Sequence, residues 1–101
     1  MLSDYAGLLG LLDRISGKWG FYILLLLFLY GTLNFNSIKK NSKFISSRTL
    51  SKRLKDFVEL GLVTKKTVEE FPLRVEYALS EEGRNFISFI VSFFNFNARR
   101  S

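Results

Sequence analysis

A chain of 101 residues has the length of one domain, and a domain this small buries only part of the surface its unfolded chain exposes. Without a single cysteine or histidine it offers no disulfide framework, no thiol nucleophile and none of the usual zinc ligands, so neither a metal nor a cofactor is expected, and the cytoplasm is the simplest compartment. Yet 48% of it is hydrophobic, with 11 phenylalanines, a load that a subunit interface would relieve, and the net charge of +6 points to an acidic partner.

In chain order, residues 3–16 read as a helix. Ser3 can cap it, Asp4 suits its first turn, and Leu8, Leu11, Leu12 and Ile15 recur at helical spacing. Gly17 closes it. The next stretch, GKWGFYILLLLFLYG, predicts a second helix over 18–30 that is apolar all round and therefore central to a fold, with Gly31 as its stop. A membrane span needs about 20 apolar residues, and this run from Phe21 to Tyr30 is half as long. No basic start or small-residue cleavage site marks it as a secretory signal either.

The charge is concentrated in residues 34–66, which hold nine cations against two anions, so that this third of the chain carries +7 and the remainder −1. A basic segment between apolar ones is the pattern of a nucleic-acid surface, with a solvated charged face as the plain alternative. Asn34 or Asn36 can start a short helix that carries Ile38, Lys39 and Lys40 and ends by Lys43. From a cap at Ser46 a longer helix runs to about Leu60, with Leu50, Leu54, Phe57 and Val58 on one face. Turning at about 100° per residue sets Arg48, Lys52, Lys55 and Glu59 on the opposite side, flanked by Thr49 and Ser51. Gly61 ends it.

Beyond Gly61 the period changes to two. Residues 62–68 are rich in β-branched side chains, and 74–79 alternate so that Val75, Tyr77 and Leu79 share a face. Glu69, Glu70, Phe71, Pro72 and Leu73 are predicted to form the hairpin tip, keeping the proline out of the ladders. Ser80 then caps a last helix whose apolar arc, Phe86, Ile87, Phe89, Ile90, Val91, Phe93, Phe94 and Phe96, is too wide for one small domain to cover. Its polar stripe of Arg84, Ser88, Ser92, Asn95 and Arg99 contains no lysine, which disfavours a membrane-surface role.

Three consecutive helices over 18–60, the last of them basic on its outer face, followed by a β-hairpin, describe a mainly α fold with a β-hairpin, an α+β winged helix-turn-helix occupying 1–101 as one domain. The helix-turn-helix spans 34–60 and the wing 62–79, and the last helix, 84–97, is expected to pack partly on a symmetry mate. The segments GKW at 17–19, LNFNSIKK at 33–40, ISSRTLSKRLKDFVELGLV at 45–63 and PLRVEYALSEEG at 72–83 resemble the HxlR-type transcriptional regulators, relatives of the MarR regulators, over roughly residues 5–90. The resemblance implies a dimer that binds double-stranded DNA as repressor or activator, joined through its terminal helices, 3–16 and 84–97. It departs from the family pattern at several points. There is no cysteine near the N-terminus to sense oxidants, so that mode of regulation is not implied, and no other effector is indicated. Lys43 stands in place of a turn proline, the apolar helix is one residue longer, and Leu25 and Leu26 replace charged residues. Those two leucines are expected to lie under a partner subunit.

The residues expected to meet DNA follow from the helix-turn-helix geometry, in which the start of the second helix enters the major groove. Arg48 can donate two hydrogen bonds to guanine, and Ser47, Thr49, Ser51 and Lys52 share its accessible end. Lys55 lies farther along, toward phosphate; Arg53 sits on the flank, where an intramolecular role is equally open, and the family resemblance alone places it among the DNA contacts. Lys39, Lys40 and Lys43 are placed for phosphate contact, as are Lys65, Lys66 and Arg74 on the wing, although Glu69 and Glu70 repel phosphate and one of them can pair with Arg74. The expected dimer contacts are Leu8, Leu12, Phe86, Phe89, Ile90, Phe93, Phe94 and Phe96. No enzyme is expected, because every carboxylate has an ordinary place at a helix start, hairpin tip or exposed face. Two other readings remain open: a non-specific architectural DNA-binding protein and a small membrane-associated protein.

Overall fold

The computed structural model describes residues 2–7, 10, 18–42 and 45–100. It opens with a 3₁₀ turn at Leu2–Tyr5, so the backbone begins to turn before Ser3. Most of the helix expected at 3–16, with Leu8 and Leu12, falls outside the described residues, as does Lys43. The remaining order is α1 (Lys18–Tyr30), β1 (Leu33–Asn34), α2 (Phe35–Asn41), α3 (Ser47–Glu59), β2 (Val63–Glu70), β3 (Leu73–Leu79) and α4 (Glu81–Arg100). Among the described residues, the four α-helices that follow Gly17 and a three-stranded antiparallel sheet of order β1-β3-β2 make an α+β winged helix-turn-helix.

Helix α1 is the apolar run, and it ends where Gly31 takes φ of 84° and donates from its N–H to the Leu27 carbonyl at 2.9 Å. Ile23, Leu24 and Leu27 are fully buried and Leu26 is 7% exposed, whereas Leu25 is 39% exposed, with Phe21, Tyr22, Leu29 and Tyr30 also on the outside. One expectation is corrected here: Leu26 belongs to the core rather than beside Leu25 on a partner-facing surface. Neighbouring residues of a helix point about 100° apart, and a run without polar breaks gives no sign of which face turns inward.

Short as it is, α2 is held firmly. Asn34 accepts the Ser37 N–H on its Oδ1 at 2.8 Å, Ile38 is fully buried, and the Tyr22 hydroxyl donates to the Asn41 carbonyl, fastening α2 to α1. Helix α3 inserts Leu50, Leu54 and Phe57 into the same core, joined by Ile45, Val63, Leu79 and Ile87. Its end is a Schellman turn: with Gly61 at φ of 79°, the Gly61 N–H reaches the Val58 carbonyl at 3.1 Å and the Leu62 N–H reaches that of Phe57 at 2.9 Å.

The wing differs from its expected shape in three respects. A third strand, β1, pairs Leu33 with Tyr77 and Asn34 with Glu76, a two-residue pairing too short to leave a periodic signal. The ladder of β2 and β3 runs on past an irregularity between Thr67 and Glu69 to pair Glu69 with Arg74 and Glu70 with Leu73. Consequently the tip is only Phe71 and Pro72, joined by a cis peptide bond, instead of five residues. From Thr64 onward β2 is exposed throughout, and a strand wetted on both faces carries charge without becoming a loop.

Candidate DNA-binding surface

Ser46 organises the exposed end of α3. Its Oγ accepts the Thr49 N–H at 3.1 Å and donates to Thr49 Oγ1 at 2.9 Å, satisfying one of the unpaired donors of the helix start. That capping directs Ser47, Arg48 and Thr49 outward, and Ser51, Lys52 and Lys55 continue the exposed face, with Glu59 as its acidic end. Thr49 is partly committed, since its oxygen already receives the Ser46 proton. Arg53 lies half-buried on the flank. In the last turn of α2, Lys40 is exposed and Lys39 half-buried.

The wing's cations are not equivalent. Lys65 pairs with Tyr77 in the ladder and shares a groove with Ser51, Leu54, Lys55, Val58 and Glu59 of α3, so it belongs to the surface of that helix. Lys66 sits opposite Glu76, on the other face of the sheet. Arg74 lies beside Glu69, with Nη1 3.9 Å from Oε1 and both side chains about half exposed (52% and 54%), the ion pair that competes with DNA contact. A second cleft, of about 550 Å³, separates the wing from the start of α2 and is lined by Asn34, Phe35, Asn36, Lys65, Arg74 and Tyr77 among others. Sequence reasoning does not assign Asn34, Asn36 and Tyr77 to this surface. The two asparagines flanking Phe35 ahead of a basic helix are the available signal. Burial pushes the Tyr77 hydroxyl above its ordinary pKa.

Helix α4 presents Phe89, Phe93, Phe94 and Phe96 to solvent, with Ile90 at the margin. Phe86 instead packs within the chain, its ring stacked on Phe21 at 6.3 Å. Phe21, Leu25, Ile87, Ile90, Val91 and Phe94 line an apolar groove between α1 and α4. Among the described residues no three histidine, cysteine, aspartate or glutamate side chains gather as metal ligands, and no helix is long and apolar enough to cross a membrane.

A capped basic helix preceded by a short helix and followed by a hairpin wing is the architecture of winged helix-turn-helix transcriptional regulators. The chain belongs to the HxlR-like helix-turn-helix family, whose model matches residues 14–100. It is 38% identical over 74 residues to YdzF of Bacillus subtilis strain 168, an uncharacterised helix-turn-helix-type transcriptional regulator, the match covering 73% of this chain and 68% of that protein. An uncharacterised regulator of the same type from Methanothermobacter thermautotrophicus is 35% identical over 75 residues, covering 74% of this chain and 56% of that protein. This chain thus spans between about half and two thirds of these relatives. The solved structure of a MarR-family transcriptional regulator from Enterococcus faecalis V583 superposes with a TM-score of 0.79 at 31% identity, over 87% of this chain and 79% of that one.

Proposed function

We propose that the protein is a homodimeric regulator that binds double-stranded DNA sequence-specifically, with α3 in the major groove and the wing beside the backbone. The observation that carries this reading is the exposed face of α3, where Arg48, Lys52 and Lys55 stand behind a start organised by Ser46. The guanidinium of Arg48 can specify guanine, while Lys52, Lys55, Lys39, Lys40 and Lys65 supply charge for phosphates. Homodimerisation is supported by the uncovered aromatic face of α4, an apolar patch that an isolated domain of this size would expose to water at a cost. With no cysteine in the chain, control by thiol oxidation is not part of the proposal.

Selection of bound fragments from the source genome, followed by footprinting, tests it. A short protected palindrome supports the regulator; uniform coating of unrelated sequences would overturn it in favour of an architectural DNA-binding protein. The dimer is tested separately by sedimentation of Phe93→Asp, which is expected to be monomeric; an unchanged oligomer would remove α4 from the interface.

A further inference from the structure

The first turn of α4 is tied to the short segment that joins α3 to the wing, and Ser80 makes most of the tie. Its hydroxyl donates to the Gly61 carbonyl at 2.6 Å and accepts the Gly83 N–H at 2.9 Å, while its own backbone N–H donates to the Leu62 carbonyl at 3.0 Å. One side chain therefore caps the start of α4 and grips the glycine that terminates α3. Gly61 is held on both sides: its N–H completes the Schellman turn of α3 and its carbonyl is bound to Ser80. At the corner between the two helices, Ser80 Oγ bridges the residue that follows the end of α3 and the first turn of α4.

We propose that Ser80 is a positioning residue for DNA reading: it holds α3 at a fixed angle to α4, so that a dimer joined through α4 presents its two α3 helices at one separation. The proposal rests on the dimeric DNA-binding reading above and adds to it the part of the chain that sets half-site spacing. The tolerance is narrow. One base pair moves a half-site by about 3.4 Å and turns it by about 35° around the duplex, so even a modest swing of α3 against α4 would make neighbouring spacings equivalent. Ser80 itself lies at the far end of α3 from Arg48 and Lys52, and outside the apolar face of α4. Removing its hydroxyl leaves both the groups offered to DNA and the proposed interface intact.

The experiment compares wild type, Ser80→Ala and Ser80→Thr on duplexes carrying one half-site and on palindromes whose half-sites are separated by one base pair more or less than the selected operator. Circular dichroism and sedimentation establish that each variant is folded and of wild-type oligomeric state. Wild type is expected to lose about tenfold in affinity for each base pair of displacement, as a rigid bivalent binder does when its two sites no longer match its span. Ser80→Ala should bind the operator about tenfold more weakly, keep its half-site affinity within about twofold, and show no preferred spacing; Ser80→Thr, which restores a hydroxyl, should recover the optimum. A Ser80→Ala protein with the wild-type optimum and affinity overturns the proposal alone. So does a parallel loss on half-site and palindrome, which would make Ser80 merely structural. If wild type itself shows no spacing optimum, the dimeric DNA reading falls together with it.

Discussion

A Cβ built on Gly83, in the first turn of α4, would stand 2.0 Å from the carbonyl oxygen of Leu62 and 2.9 Å from its carbonyl carbon. That oxygen also accepts the Ser80 N–H, and the backbone on either side is held by the Schellman turn and the β2 ladder. It has little room to withdraw. Gly83→Ala is therefore expected to destabilise the fold by about 1–3 kcal/mol, although alanine is the better helix former by about 1 kcal/mol. Calorimetry should show the melting temperature falling by several degrees; a rise would mean that the corner yields.

The double variant Arg48→Ala, Lys52→Ala should lose specific DNA binding while sedimenting as wild type does. Truncation of a base-reading arginine costs about 1–3 kcal/mol, and removing one lysine–phosphate interaction flattens the slope of log affinity against log salt by about 0.9. Affinity retained at physiological salt would exclude α3 as the reader.

On the wing, Glu69→Gln removes a carboxylate that both neutralises Arg74 and repels phosphate. An exposed pair at 3.9 Å contributes under about 1 kcal/mol to the fold, so urea unfolding should hardly change. DNA affinity measured by fluorescence anisotropy should rise, with a steeper salt dependence. A fall would mean that Glu69 orients Arg74 toward the backbone.

Ser42, between α2 and α3, is 1% exposed, and among the described residues its Oγ has no hydrogen-bond partner. A buried hydroxyl left unpaired is costly, and Ser42→Ala should stabilise the protein by about 1 kcal/mol. The midpoint of urea unfolding decides it, and a shift to lower urea would reveal that the hydroxyl is satisfied after all.

Tyr77 provides a pH signature. Burial holds its hydroxyl above the ordinary value near 10, so the neutral form is favoured in the folded state. Its contribution is intact below the unfolded value and is lost as pH rises through ten toward the folded one, because the unfolded chain ionises first. Tyr77→Phe should accordingly lose less stability than wild type between about pH 9 and 11. Parallel losses would contradict the assignment.

Much of the helix-turn-helix was legible locally, because the signals that start and stop its helices act within a few residues. Asn34 and Ser46 accept N–H groups three residues on, Gly31 and Gly61 adopt the left-handed conformation other residues avoid, and Leu50, Leu54 and Phe57 fall on one face whatever they pack against. The exposed position of Arg48, Lys52 and Lys55 follows from the same periodicity.

Relations between distant segments were decided only by the fold. Which side of α1 is buried depends on where α4 and β3 lie, so Leu26 and Leu25 part company although both are leucines. Lys65 joins the surface of α3 because β2 runs beside that helix, and Lys66 is turned away by the pleat. β1 exists only through its partner β3, and the meeting of Gly61, Leu62, Ser80 and Gly83 joins residues about 20 apart. Sequence alone determined the helices that cap themselves and the basic face of α3, since those depend on neighbours in the chain. The tertiary structure determined what that face stands beside and what holds it at its angle, since those depend on packing between segments that no local pattern records.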